Sequence, residues 1–216
     1  LRHRSAGVHK LPGVSHPDVD AWAAWSPGHL AERLHGLTIP WYVAAGWAVD
    51  LFRGGQTREH EDLEIGVPAA CFDVLPALFP ELDFWVPDGP GRLAPMTAQT
   101  LAGESHQTWA WDPVAQRWRF DVFREPHDGD TWICRRDEAR IRRPYAEIIR
   151  RTDDGIPYLA IEVALLFKAK HVRAKDEADF TGALPLLTRP ERGWLDAALG
   201  VVHPAHPWRM RLRAIW

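Results

Sequence analysis

The chain has 216 residues, 46% of them hydrophobic and 25% charged, so it can bury a sizeable core and lacks the polar, strongly charged make-up of a disordered chain. A formal net charge of −3 argues against a protein that grips nucleic acid through a broad basic surface. No apolar run reaches the ~20 residues that cross a bilayer, and the start Leu1-Arg2-His3-Arg4 has neither an initiator Met nor the apolar stretch of a signal peptide. The expectation is a cytoplasmic protein with no membrane segment and no nucleic-acid partner. Cys71 and Cys134 are the only cysteines, too few for a disulfide framework or a four-cysteine zinc site; both are expected to be free thiols.

Residues 1–16 show no period and read as a loose lead-in. Ser26-Pro27 is a helix start, with Ser as cap and Pro at the first helical position, and the helix should run to His35. The apolar run Ile39 to Ala45 reads as a buried strand that stops at Gly46, with a short helix from Ala48 to Phe52 after it. Beyond the Gly54-Gly55 turn, Asp62 to Ile65 alternates acidic with apolar side chains, the mark of a strand with two unlike faces. A helix over Ala69 to Leu78 and a strand over Asp83 to Val86 follow. Pro87 to Glu104 is rich in Pro and Gly and reads as a long loop of the kind that shapes a site. Arg117 to Phe123 alternates again, with Trp118, Phe120 and Val122 on one face and Arg119, Asp121 and Phe123 on the other, and Thr131 to Arg136 is a further strand. Past Ile141 the pattern turns helical, over 161–172, 176–184, 192–199 and 207–214. These elements predict an α/β (α+β) fold: a mixed β-sheet with flanking helices over residues 17–145, then a smaller C-terminal helical domain over 146–216.

The chemistry centres on Asp62-Leu63-Glu64. Residues i and i+2 of a strand share a face, so both carboxylates point one way while Leu63 faces the core. Such a pair repels itself unless a cation lies between, and hard Mg²⁺ takes carboxylate oxygens; alternating acids on an exposed edge strand would give the same pattern. Asp121, mid-strand among Trp118, Phe120 and Phe123, needs either a metal or a salt bridge to a nearby Arg. His60 falls on the face of Asp62 and Glu64 and, with Arg58, flanks the pair. Gly46-Trp47, where a strand opens into a helix, offers free backbone N–H groups to phosphate. Lys168, Lys170 and Lys175 cluster downstream; Asp176 and Asp179 share a helix face, as a helix cap or as acids for a cationic ligand.

Together, Trp41-Tyr42-Val43-Ala44-Ala45-Gly46-Trp47-Ala48-Val49-Asp50-Leu51-Phe52 and Thr57-Arg58-Glu59-His60-Glu61-Asp62-Leu63-Glu64-Ile65 resemble the aminoglycoside 2''-adenylyltransferase-like family of the DNA polymerase β-like nucleotidyltransferases. Asp128-Gly129-Asp130-Thr131-Trp132, Gly155 to Lys170 and Arg173 to Phe180 extend the similarity from about Pro17 to Trp208. The family's second Gly before the Trp motif is Ala45 here, and its usual Pro before Glu162 is Ile161. The resemblance implies a Mg²⁺-dependent enzyme that transfers AMP from ATP to a hydroxyl of a small molecule, an aminoglycoside antibiotic above all, releasing pyrophosphate. It implies Asp62, Glu64 and Asp121 as metal ligands, Asp121 also as general base, and Gly46, Trp47, Arg58, His60 and Lys168 as the nucleotide-binding set. A lincosamide acceptor, a catalytically silent nucleotide- or ligand-binding protein on the same fold, and a metal hydrolase built on His60, Asp62 and His106 or Asp121 are the competing readings.

Overall fold

The computed structural model describes residues 16–214; the expected lead-in, apart from His16, lies outside them. Helix α1 (Pro27–Arg33) starts as anticipated, with Ser26 Oγ accepting from the His29 backbone N–H at 3.2 Å. Strand β1 (Tyr42–Val43) feeds helix α2 (Ala45–Arg53), which ends on Gly54 in the left-handed region, φ +82°. Strand β2 (Glu64–Pro68) opens at Glu64. Asp62 lies on the approach to it, where Leu63 O accepts from Asp121 N at 2.8 Å. The single helix expected over 69–78 is a one-turn 3₁₀ segment (Ala69–Cys71) and a short α3 (Val74–Leu78). Pro76 breaks it, because its ring opposes the carbonyl of Phe72 and it has no N–H to give.

The Pro/Gly-rich stretch holds the hairpin of β3 (Asp83–Pro87) and β4 (Leu93–Pro95) and a single helical turn, α4 (Ala98–Leu101), capped by Thr97 and Thr100. Strand β5 (Gln107–Asp112) precedes the long β6 (Arg117–Glu125). Strands β7 (His127–Asp128), β8 (Thr131–Ile133) and β9 (Arg142–Pro144) form a small three-stranded sheet. After the turn α5 (Tyr145–Ile148) come β10 (Ile149–Arg151) and β11 (Pro157–Leu159), then helices α6 (Ile161–Lys168), α7 (Ala174–Ala183), α8 (Arg189–Val202) and α9 (Trp208–Arg213).

Eight strands form the main sheet in the order β10-β11-β1-β2-β6-β5-β3-β4, with β1–β11 and β2–β6 parallel and the other neighbours antiparallel. The architecture is thus the mixed α+β one expected. The sheet draws β10 and β11 from beyond residue 145, and the helical run begins only at Ile161.

One sheet face carries Leu63, Ile65, Phe120 and Val122, all fully buried against Leu30, Leu34, Phe72 and Phe79. Each such side chain contributes about 1.5–3 kcal/mol on burial. The other face packs on α2, α6 and α8 through a second apolar cluster that includes Trp132, Phe180 and Trp208. On that face Tyr42 lies flat across Gly66, whose missing Cβ the tyrosine ring would otherwise strike. Glu64 and Asp121 lie on this same face. Cys71 and Cys134 are free, and no helix among the described residues is long and apolar enough to cross a membrane.

Candidate active site

Parallel pairing sets Glu64 on β2 beside Asp121 on β6, and β5 adds Trp109 opposite Asp121 and Gln107 opposite Phe123. Paired residues share a sheet face, so Glu64, Asp121, Gln107 and Trp109 stand together, and Asp62 joins them from the approach to β2. Asp121 is 3% exposed. Gln107 Nε2 donates to its Oδ2 at 2.5 Å, while Oδ1 is buried without a partner. Burial, with the Asp62 charge adding to it, pushes the Asp121 carboxyl up to about 7, against the pull of the Gln107 hydrogen bond and the Arg135 charge. Burial and the charges of Asp62 and Asp121 likewise raise Glu64 far above the ordinary carboxylate range. None of the arginines that alternation placed near Asp121 pairs with it: Arg119 binds Asp112, and Arg124 is spent on the Leu101 and Ser105 carbonyls.

The strand-to-helix turn is built round a missing side chain. A Cβ on Gly46 would strike the Arg58 guanidinium and come within 2.7 Å of the His60 ring. His60 is locked in place: its Nε2 lies 2.7 Å from Asp50 Oδ2, both side chains are 2% exposed, and the ring stacks on Trp47 with centroids 4.4 Å apart. Thr57 Oγ1 donates to the other Asp50 oxygen at 2.5 Å. Although burial opposes it, these hydrogen bonds hold Asp50 below the usual carboxylate range. His60 therefore turns to Asp50 rather than to Asp62 or Glu64, and Trp47 backs His60 without lining the cavities described below. Ala45, at the first position of α2, has φ +47°, the left-handed region that glycine tolerates and alanine enters at a cost.

On the helical side, Lys168 is bound at 2.9 Å to Asp179 and 3.2 Å to Asp176. Arg58 reaches the same Asp179 at 3.5 Å, and Arg173 Nε reaches Asp176 at 2.7 Å. Asp176 also accepts from Arg173 N at 3.1 Å and so caps α7. Burial would raise Asp176, but the Arg173 hydrogen bonds and the Lys168 charge bring it to about 2. Lys168 thus serves as the hub of a buried ion network tying the Arg58 loop to α6 and α7. Among the described residues, Lys170, Lys175 and Arg136 line the same cavity without an ion-pair partner, Arg136 donating to the Phe167 carbonyl instead.

Two cavities meet at the acids. The larger, about 910 Å³, runs from the α2 start at Ala45 and Gly46 to Lys168, Lys170, Arg173 and Lys175. The smaller, about 530 Å³, is walled by Trp22, Trp109, Gln107, Asp121 and the Pro87–Leu93 hairpin loop. Among the described residues, Glu61, Asp62 and Glu64 line both. Part of the long loop therefore lines the smaller cavity. Among the described residues no three His, Cys, Asp or Glu side chains converge into a ready-made metal cage. Mg²⁺ asks for less, commonly one or two carboxylates with water and phosphate completing its shell, and the partnerless Asp121 oxygen beside two mutually repelling acids is a donor set that suits such a cation.

Several contributors were not marked in the sequence. Gln107 and Trp109 stand on a strand, β5, left unassigned, and Asp50 gives no sign of its role within an ordinary helix. Trp22 could have been noticed only among the twelve tryptophans of the chain.

Solved structures with this fold include the lincomycin-bound lincosamide antibiotic adenylyltransferase LnuA, with TM-score 0.50 and 15% identity over 72% of this chain and 92% of that one. Another is the antibiotic-resistance factor ANT(2'')-Ia, with TM-score 0.53 and 16% identity over 88% of this chain and 92% of that one. At these identities the likeness is one of fold. Residues 29–85 match the family model described as Aminoglycoside-2''-adenylyltransferase, which bears out the resemblance read from the sequence. The matched segment carries Gly46, Trp47, Arg58, His60, Asp62 and Glu64 but stops short of Asp121 and Lys168. A comparison with curated proteins returns no match.

Proposed function

We propose that the protein transfers AMP from ATP to a hydroxyl of a small antibiotic, an aminoglycoside in the first instance, and releases pyrophosphate. The observation that carries the reading is the meeting of a cation-rimmed cavity with an acid-walled one across Asp62 and Glu64. Phosphates belong in the first, where the α2 N-terminus lacks a side-chain cap and leaves backbone N–H groups for an anion, and where Lys170 and Lys175 are free of ion pairs. The acceptor belongs in the second.

Asp62 and Glu64, with the Asp121 carboxylate, would hold Mg²⁺, which when bound neutralises triphosphate charge and acidifies a nearby hydroxyl. The acceptor oxygen forms its bond to the α-phosphorus as the bond to pyrophosphate breaks, and Asp121 Oδ1 takes the hydroxyl proton. Gln107 holds the carboxylate so that this oxygen faces the acceptor. The buried network around Lys168 fixes the helical segment against the Arg58 loop, so most of the catalytic effect is positioning and electrostatics.

A lincosamide acceptor is the second reading, supported by the likeness in fold to LnuA. The test is Asp121→Asn assayed for transfer and for ATP affinity. The expected result is a loss of ~10²–10⁴ in kcat with ATP affinity within twofold of wild type. Near-normal turnover would remove Asp121 from the proton step.

A further inference from the structure

The chain before α1 is pinned to the main sheet. Trp118 N donates to Ala21 O at 2.9 Å, Ala23 N to Trp118 O at 3.1 Å, and Trp25 N to Arg119 O at 3.0 Å. Residues 21–25 thus run parallel along the first part of β6, on the same edge that Leu63 and β2 occupy from Asp121 onward. This position brings Trp22 to the rim of the acid face. Its ring meets the Trp109 ring edge-on with centroids 5.2 Å apart, and both line the smaller cavity. Asp20, exposed and two residues earlier, lines it as well.

Among the described residues the lining of this cavity has five carboxylates, Asp20, Glu61, Asp62, Glu64 and Asp121, against a single cationic residue, Arg92. A buried polar atom with no partner, Asp121 Oδ1, belongs to the same wall. Indole faces accept flat ring surfaces and cations, and carboxylates off the metal pair are free for ammonium groups. The segment lies outside residues 29–85, the part of the chain that the family model matches.

We propose that Trp22 and Asp20, with Trp109 and Glu61, form the acceptor-selecting wall of the site, and that it takes a ring bearing both hydroxyl and ammonium groups, as in an amino sugar. Trp22 covers the ring, and Asp20 and Glu61 hold its ammonium groups. A neutral sugar gains nothing from the acids, and a ligand with a single amine uses only part of the wall. The proposal rests on the adenylyl-transfer reading for its role but not for its binding.

The test is calorimetric titration of the full chain with tobramycin, lincomycin and glucose without nucleotide, and separately with ATP and Mg²⁺, for wild type, Trp22→Ala, Trp22→Phe and Asp20→Asn. Tobramycin should bind wild type more tightly than lincomycin and far more tightly than glucose. Trp22→Ala and Asp20→Asn should each weaken tobramycin about tenfold, an ordinary loss for an aromatic or charged anchor. Trp22→Phe should recover most of the loss, and ATP affinity should stay within twofold throughout. Unchanged tobramycin affinity in Asp20→Asn and Trp22→Ala would overturn the proposal, as would a wild type that binds none of the three. AMP transfer assayed in parallel separates the two claims: affinity that falls in the variants with no transfer by wild type keeps the wall and removes the reaction, whereas transfer with variant affinities unchanged does the reverse.

Discussion

Replacing Gly46 by Ala tests the geometry of the turn in one step. The new Cβ would fall on the Arg58 guanidinium and 2.7 Å from the His60 ring. Arg58 is at the end of a flexible side chain and can yield, giving up its 3.5 Å contact with Asp179. His60 cannot yield cheaply, since Asp50 holds it on one side and Trp47 on its face. Overpacking of a well-filled site costs about 1–3 kcal/mol, and losing the buried His60–Asp50 hydrogen bond adds about 1.5–3 kcal/mol. Part of the first cost is relieved when the second is incurred, so Gly46→Ala should destabilise by about 2–4 kcal/mol in urea unfolding. The His60→Ala change opens the space the Cβ needs. In the double variant, Gly46→Ala should therefore cost at least 1 kcal/mol less than it does alone, a coupling that neighbours in contact display. A loss below about 0.5 kcal/mol, or strict additivity in the double variant, would refute this account of the turn.

The adjoining Ala45, at φ +47°, gives the opposite expectation: Ala45→Gly should stabilise by about 0.5–1 kcal/mol in the same unfolding assay, and no gain would mean the strain is absent. Stability should also depend on pH at both ends of the range. Asp121 stands near 7 in the fold against 3.8 ordinarily, so the stability tied to its protonated form is present below about pH 4 and lost as pH rises to 7, on the order of 4 kcal/mol. Added Mg²⁺ should raise Tm more at pH 8 than at pH 5, and Asp121→Asn should flatten the slope between pH 5 and 8; a slope unchanged in that variant counts against the buried-acid account. Asp176, held to about 2, works the other way. Its contribution is full above about pH 4 and lost as pH falls toward 2, so Asp176→Asn should lower stability at pH 7 and reduce the steepness of acid unfolding.

What the sequence disclosed was what periodicity and spacing carry. The alternation of Arg117 to Phe123 set Asp121 against Phe120 and Val122, as found, but put Trp118 on the wrong side, because the register shift between Ala110 and Trp111 turns it toward Trp109 and Asp121; Asp62-Leu63-Glu64 did place Leu63 in the core. Ser26-Pro27 marked a helix start because capping is a local event. The short strands β4, β9, β10 and β11, of three residues each, are too brief for any period and exist only through their partners across the sheet. His60 shows the limit of the two-residue rule: the pairing with β6 begins at Leu63, and the chain before it turns the imidazole to Asp50. Lys168 shows another. Its spacing to Asp176 and Asp179 was visible, but that these carboxylates are buried and hold it became evident only when α6 and α7 packed together. Trp22 came to the site through backbone pairing with Trp118, a contact across nearly a hundred residues that no local pattern records.

The account stands or falls on product formation. Wild type and Asp121→Asn should be incubated with ATP, Mg²⁺ and, in turn, tobramycin, lincomycin and glucose, with pyrophosphate counted and the acceptor weighed by mass spectrometry. The account predicts one AMP added to tobramycin per pyrophosphate released by wild type, and almost none by Asp121→Asn. ATP that binds while every acceptor keeps its mass, or adenylated product from Asp121→Asn at the wild-type rate, would contradict it.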